Sequence, residues 1–282
     1  MKTIDLHVHS SASDGSCTPE EIVRLAAETG LSAVAITDHD TVEGYAGAAA
    51  LGKELGVEVV PGIEISTRYT GAVHILGYFI DPRSPALQEV LDWIVQDRDA
   101  RNREMAARMA ADGLPVSYEQ MQRRFGAVVG RPHFARVLVE LGQAENIQDA
   151  FDRYVEKGRK YYIGRHFLPI ERSIELICLA GGLPVLAHPF QYRLDDAQLR
   201  ALIEHCLESG LRGMECRYTG YGAEQTAYLS ALAKEYGLLP TGGSDFHGAT
   251  KPWIRLGRGL GSLEVPYAWL EGLKEAAGHG SI

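Results

Sequence analysis

Short apolar segments alternate with amphipathic ones along the first part of the chain. Thr3–Val8 has the pattern of a strand, and Thr18-Pro19-Glu20-Glu21 combines a hydroxyl cap, a first-turn proline and a capping-box glutamate, which predicts a helix start. Apolar strands are predicted again at Leu31–Thr37 and Val57–Val60, separated by a helix over Thr41–Leu55. Apolar strands that alternate with helices predict a parallel sheet covered by helices, either a closed barrel or a doubly wound sheet.

The pattern changes at about residue 81. Ser84–Asp112 favours one long helix, and shorter helical patterns follow at Tyr118–Arg124, Pro132–Leu141 and Ile147–Lys157. Strands and helices then alternate again from Ile170. We therefore expect one barrel-like domain, made of residues 1–80 and 163–282, that is interrupted by a helical insertion subdomain at 81–162.

Composition narrows the class of protein. The 282 residues are 45% hydrophobic and 23% charged, which is typical of a globular chain, and the formal charge of -9 argues against binding to duplex DNA or to an anionic membrane. The chain has no CxxC pair, no pattern of a secretion signal and no apolar run long enough to span a membrane. We expect a cytoplasmic protein with reduced thiols, whose oligomeric state the sequence leaves open.

Candidate metal ligands follow the predicted strands. His7 and His9 lie two residues apart on a strand, so both imidazoles point to one side, although histidines at strand ends equally often serve structural hydrogen bonds. Further histidines and carboxylates follow later strands. They are Asp14, His39, Glu64, His74, His188, Asp245 and His247.

A closed parallel barrel would bring these side chains together, because the carboxyl ends of its strands form one face. Imidazole and carboxylate ligands without thiolates favour Mn, Fe or Zn. The number of candidates exceeds what one ion needs, so we expect a site with several ions.

Five motifs, in order, resemble those of the polymerase and histidinol phosphatase (PHP) family. They are His7-Val8-His9, Thr37-Asp38-His39, Gly62-Ile63-Glu64, Ala187-His188-Pro189 and Gly243-Ser244-Asp245-Phe246-His247. The chain is most similar to the branch of bacterial phosphoesterases that act on nucleotides and RNA 5′ ends and carry a helical insertion. The resemblance implies an α/β fold, a distorted seven-stranded (β/α)7 TIM-like PHP barrel, and three divalent metal ions.

The resemblance also implies how the ions are held. The first ion would take His7, His9, Glu64 and Asp245, the second Asp14, His39 and His247, and the third Glu64, His74 and His188. Closely spaced ions would generate a metal-bridging hydroxide for attack on a phosphate ester. Asp38 is expected to assist catalysis by orienting His39 or a bound water.

Three further residues are predicted to contact the substrate. Arg131 and His133 flank Pro132 at a predicted helix start, where backbone N–H groups favour anions, and the related phosphoesterases have a similar stretch. A surface ion pair is the alternative role for Arg131. Arg217 follows a strand and is predicted to face the same cleft, although it could equally pair with a neighbouring carboxylate.

The sequence thus predicts a metal-dependent phosphoesterase. Its expected substrates are nucleoside monophosphates, nucleoside 3′,5′-bisphosphates or short RNA trimmed from the 5′ end. Two alternatives stay open at this point: a histidinol-phosphate phosphatase, and a non-catalytic PHP module that binds metal or nucleotide.

Overall fold

The computed structural model describes residues 2–126, 129–164 and 166–278. The chain divides into two compact units, one made of Met1–Glu89 and Phe167–Ile282 and the other of Val90–His166. We call them the barrel unit and the helical unit.

The strands of the barrel unit form one twisted sheet. They are β1 (Thr3–Val8), β2 (Ala33–Ile36), β3 (Glu58–Arg68), β4 (Ala72–Tyr78), β5 (Leu168–Pro169), β6 (Leu183–Leu186), β7 (Gly213–Tyr218), β8 (Leu239–Gly243) and β9 (Val265–Pro266). Their order is β8-β7-β6-β4-β3-β2-β1-β9, with β5 paired to β3. Strands β1 to β3 are parallel, and so are β6 to β8. Strand β4 is antiparallel to both of its neighbours, which corrects the expectation of a fully parallel sheet.

The sheet nearly closes between β1 and the segment that follows β8. The backbone N–H of Asp245 donates to the carbonyl of His7 at 2.8 Å, and that of His9 donates to Phe246 at 2.9 Å. A Cβ on Gly243 would lie 2.3 Å from the Cβ of His7, so only glycine permits this approach. The expected distorted α/β barrel is confirmed.

Helices cover the sheet and make up the helical unit. In chain order they are α1 (Pro19–Glu28), α2 (Tyr45–Leu55), α3 (Pro85–Ala111), α4 (Tyr118–Phe125), α5 (Arg131–Glu140), α6 (Ile147–Ala150), α7 (Ile170–Leu179), α8 (Asp196–Glu208), α9 (Ala223–Glu235) and α10 (Tyr267–Ala276). A π-helical turn at Phe151–Val155 and 3-10 turns at Pro189–Tyr192 and Gly248–Thr250 complete the set. Within the described residues, no helix combines the length and apolar composition needed to cross a membrane.

Local signals explain where α1 begins and what it packs against. The Thr18 hydroxyl accepts the N–H of Glu21 at 3.2 Å, and the Glu21 carboxylate accepts the N–H of Thr18 at 2.7 Å, which confirms the predicted capping box. The apolar side of α1, including Ile22 and Val23, packs in one buried cluster with Val34 of β2. This packing holds β1 and β2, and thereby the segments that follow them, in place.

The helical unit has its own core. Met105 and Met109 of α3 pack with Phe134 and Leu138 of α5 and with Tyr161. The division between the two units falls inside α3, between residues 89 and 90.

Candidate metal centre

Nine histidine and carboxylate side chains of the barrel unit lie together at the carboxyl edge of its parallel strands. They form four overlapping groups whose potential ligand atoms are within 4.8 Å of one another. The groups are His9, Asp14, His39 and His247; His7, His9 and Asp245; His7, Glu64 and His188; and His39, Glu64 and His74. All nine residues predicted as metal ligands are therefore brought together.

Strand β1 supplies the centre of the cluster. The fully buried Nε2 of His9 lies 3.2 Å from a carboxylate oxygen of Glu64 and 3.2 Å from one of Asp245. The Nε2 of His7 lies 3.4 Å from the same oxygen of Glu64. The two-residue period of a strand explains why both rings meet the same carboxylates.

Glu64 and His74 lie on the two strands of the β3–β4 hairpin rather than in segments that follow a strand. Glu64 lies inside β3, which continues to Arg68, and His74 lies near the start of β4. Because β4 is antiparallel, its beginning lies at the carboxyl edge of the other strands. Oε1 of Glu64 lies 2.9 Å from Nδ1 of His74 and 3.0 Å from Nε2 of His188.

Asp14 reaches the cluster from the turn after β1. Its carboxylate oxygens lie 3.2 Å from Nε2 of His247 and 4.0 Å from Nε2 of His39. Buried Asp38 holds this turn, since its carboxylate accepts hydrogen bonds from the N–H and hydroxyl of Ser10 and from the hydroxyl of Ser13, each at 2.6 Å. Asp38 therefore positions the segment that carries Asp14, and its expected catalytic role stays a prediction.

Two of the nine residues have a strained backbone. His188 has φ 27° and Asp245 has φ 56°, both positive values that non-glycine residues seldom adopt. Such strain persists only where surrounding contacts enforce it, and it concentrates at functional sites.

Burial and neighbouring charges shift the pKa values of the cluster's members in opposite directions. Desolvation disfavours ionised Glu64, but the imidazoles around it, including His39 and His74, outweigh burial and hold its pKa well below the usual range. Burial would lower the pKa of His9, yet Asp245 and Glu64 raise it to about 9. For His39 desolvation dominates and lowers the pKa to about 3.

The donor set fits divalent metal ions. Among the described residues, Nε2 of His7, both ring nitrogens of His9 and Nδ1 of His39 are buried without a hydrogen-bond partner. Unpaired buried polar atoms are costly, so several of them around shared carboxylates indicate that another species completes the cluster. Imidazole nitrogens and carboxylate oxygens are ligands of Zn, Mn and Fe.

The grouping agrees in part with the predicted division among three ions. Asp14, His39 and His247 fall in one group, and His7, His9 and Asp245 in another. His74 and His188 contact the same oxygen of Glu64 but fall in different groups. Assignment of each ligand to an ion therefore stays a proposal.

Arg131 and His133 lie at the start of α5 in the helical unit. The Arg131 guanidinium lies over the rings of Tyr162 and Phe151, 5.4 and 5.9 Å from their centroids, and 3.4 Å from the carboxylate of Glu156. Nδ1 of His133 accepts the N–H of Gly130 at 2.9 Å, so the neutral ring carries its proton on Nε2. Arg131 thus forms the surface ion pair that is the alternative to substrate binding, and the substrate role of both residues stays a prediction.

Arg217 does not contact the cluster. Its guanidinium donates to the carbonyl of Glu264 and lies 5.1 Å from the ring centroid of Trp269. The next residue, Tyr218, turns to the other face of the strand and donates to Asp245 at 2.6 Å. The placement of Arg217 thus gives no support to the predicted substrate contact.

Three residues around the cluster, Asp5, Glu215 and Lys251, could not be recognised from the sequence. Buried Asp5 accepts hydrogen bonds from the N–H and hydroxyl of Ser244 and from the N–H of Gly257. Tyr218 and Lys251 both donate to Oδ2 of Asp245, the lysine at 2.9 Å. Buried Glu215 contacts Nδ1 of His7 at 3.1 Å. In the sequence, the only indication of such a role is a position next to a motif or on a predicted strand.

A barrel with a cluster of histidines and carboxylates at the carboxyl edge of its strands is the architecture of a metal-dependent hydrolase. The chain belongs to the PHP domain family, whose profile matches residues 5–210. It is 38% identical to the 5′-3′ exoribonuclease Rnm of Escherichia coli over 260 residues, which cover 91% of this chain and 88% of that protein.

Two further relatives extend the comparison. The chain is 34% identical to a 3′,5′-nucleoside bisphosphate phosphatase of Chromobacterium violaceum, with 88% of each protein covered. A solved structure from Bifidobacterium adolescentis, described as a candidate metal-dependent phosphoesterase, superposes with a TM-score of 0.83 at 32% identity, and covers 100% of this chain and 97% of its own. The expected resemblance to the PHP phosphoesterases is confirmed, and with it the hydrolase class and the dependence on divalent metal.

Proposed function

We propose that this protein hydrolyses phosphate esters of nucleotides, either a nucleoside monophosphate or 3′,5′-bisphosphate, or the 5′ end of short RNA. The observation that carries the proposal is the cluster of nine buried or half-buried candidate ligands that includes Glu64. Relatives that cover about nine tenths of the chain and act on RNA or on nucleoside bisphosphates support this class of substrate.

Three divalent ions, Mn, Fe or Zn, are proposed to occupy the cluster, with Glu64 shared between two of them. When bound, closely spaced ions lower the pKa of a water molecule and hold phosphate oxygens for in-line attack. Tyr218 and Lys251 fix Oδ2 of Asp245 and leave Oδ1 facing the histidines. Lys251 is one-third exposed and keeps further N–H donors for a phosphate oxygen.

Phosphate binding by Arg131 and His133 is part of the same proposal. A guanidinium and an imidazole at a helix N-terminus suit a phosphate group, because the helix end and the cation both favour an anion. The net charge of -9 supports small or single-stranded substrates over duplex DNA. A cytoplasmic location is proposed from the free cysteines.

Phosphate release from a matched panel tests the proposed function. The panel contains AMP, adenosine 3′,5′-bisphosphate, a 5′-phosphorylated short RNA and histidinol phosphate, each with a chelator control. We expect chelator-sensitive turnover of the nucleotides or RNA. Preference for histidinol phosphate would assign the protein to that phosphatase branch, and binding without turnover of any compound would favour a non-catalytic module.

The role of Arg131 is tested by two substitutions on the same helix. Arg131→Ala is expected to lower kcat/KM by about 10-fold or more, because a charged hydrogen bond contributes about 1.5–3 kcal/mol. Arg136→Ala is the matched control, since Arg136 pairs with Glu140 at 3.2 Å on the surface of α5. Unchanged KM and kcat for every phosphorylated compound in Arg131→Ala would exclude the substrate role.

A further inference from the structure

Glu215 is a fully buried carboxylate of β7 that no motif includes. Among the described residues, no lysine or arginine forms an ion pair with it, and its side-chain hydrogen bonds go to His7 and His188. A buried carboxylate that lacks a lysine or arginine partner depends on the groups around it, which here are the imidazole of His7 and the backbone N–H of His188.

The first contact of Glu215 determines which ring nitrogen of His7 carries a proton. Oε1 and Oε2 of Glu215 lie 3.1 and 3.3 Å from Nδ1 of His7. A carboxylate accepts only, so Nδ1 must donate. The opposite nitrogen, Nε2, is buried without a hydrogen-bond partner and faces Glu64 and Asp245 at 3.4 and 3.7 Å. Nε2 is thus the nitrogen available to a metal.

The second contact holds the backbone of another candidate ligand. Oε2 of Glu215 accepts the N–H of His188 at 2.8 Å. His188 has φ 27° and ψ 61°, a conformation that needs support from its surroundings. Its ring stacks on that of His7 with centroids 5.6 Å apart, and its Nε2 lies 3.0 Å from Glu64. One carboxylate therefore restrains two neighbouring ligands that come from different strands.

From these contacts we infer that Glu215 is a positioning residue of the metal centre, which orients His7 through Nδ1 and His188 through its backbone and so determines metal affinity. Carboxylates that accept the second N–H of a ligating histidine commonly contribute about 10–100-fold to metal affinity or activity. This inference rests on the proposed metal centre, but not on the phosphoesterase substrate.

The experiment measures Mn²⁺ binding to the full chain by calorimetry and electron paramagnetic resonance, without any phosphate ester. Glu215→Gln keeps the shape of the side chain and removes its charge, and we expect affinity to fall about 10–100-fold. Glu208→Gln, at an exposed position of α8, is the matched control. Gly56→Ala, at a residue with φ 71° beyond the end of α2, controls for lost stability. Both controls should bind Mn²⁺ as the wild type does.

Wild-type Mn²⁺ affinity and stoichiometry in a folded Glu215→Gln protein would overturn the inference, whatever the phosphatase panel gives. Loss of affinity in the Gly56→Ala control as well would overturn it too, since affinity would then follow stability. If Glu215→Gln does not fold, the inference is tested on the Zn²⁺-loaded wild type labelled with ¹⁵N-histidine, whose NMR chemical shifts show which ring nitrogen of His7 carries a proton. We expect a proton on Nδ1 of His7, and a deprotonated Nδ1 would refute the orientation.

Discussion

At the scale of single residues, the substitution Asp245→Asn tests the charge of this side chain without disturbing its backbone conformation. Its φ of 56° is one that asparagine tolerates better than most residues, so Asp245→Asn should fold. We expect kcat/KM to fall by about two orders of magnitude or more, because the oxygen 3.2 Å from His9 loses its charge. Steady-state kinetics and circular dichroism check this result. Exposed Asp196→Asn is the control, and full activity in Asp245→Asn would remove Asp245 from the centre.

Metal binding at pH 7 is expected to release a proton from His9. Burial lowers the pKa of this imidazole, but Asp245 and Glu64 raise it to about 9, so the metal-free side chain is charged at pH 7. A ligating nitrogen must be deprotonated. Affinity should therefore rise with pH towards 9 and fall about 10-fold per pH unit below it for each proton released.

Calorimetry of Mn²⁺ binding in two buffers of different ionisation enthalpy, PIPES and Tris, measures that proton directly. Equal binding enthalpies in the two buffers at pH 7 would mean that no proton leaves. Such a result would contradict the charged state of His9.

At the scale of secondary-structure elements, replacing two different glycines with alanine should change the stability of the protein in opposite directions. Gly56 has φ 71°, and a Cβ there would meet no atom within 4 Å, so Gly56→Ala should cost about 1 kcal/mol through backbone strain alone. Gly272 lies inside α10 with equally open surroundings and no positive φ, so Gly272→Ala should stabilise by about 0.5–1 kcal/mol. Urea denaturation measures the free energy of unfolding of both variants. A change of the same sign in both would contradict this prediction.

Helix ends that carry local signals could be predicted well, whereas β3 extends to Arg68, well beyond the predicted Val57–Val60. The capping box at Thr18 and the glycine after α2 act within a few residues of the helix ends that they define. The direction of β4 could not be predicted, because an apolar strand has the same pattern in either orientation. Its antiparallel course comes from the tight connection between Arg68 and Ala72, which makes β3 and β4 a hairpin.

At the scale of the whole molecule, the candidate ligands could be predicted from residue type and strand position, but their supporting contacts could not. Glu215 and His7 are 208 residues apart, and Asp5 and Ser244 are 239 apart. Only closure of the barrel brings these pairs together. The orientation of Arg217 could not be predicted for the same reason, because it depends on contacts with the ring of Trp269 and the carbonyl of Glu264.

Since every candidate ligand lies in the barrel unit, metal should stabilise that unit selectively. A ligand that binds only the folded state adds about 2.7 kcal/mol per site at a free concentration 100 times its Kd. The helical unit has a separate core around Met105 and Phe134 and contributes none of the nine residues. Addition of Mn²⁺ should therefore slow hydrogen exchange in β1 and β8 and change it less in α5. Asp245→Asn is the control, in which Mn²⁺ should no longer slow exchange in the barrel unit. Equal protection of both units would show instead that they unfold as one, and no protection in either would contradict a metal centre in the barrel.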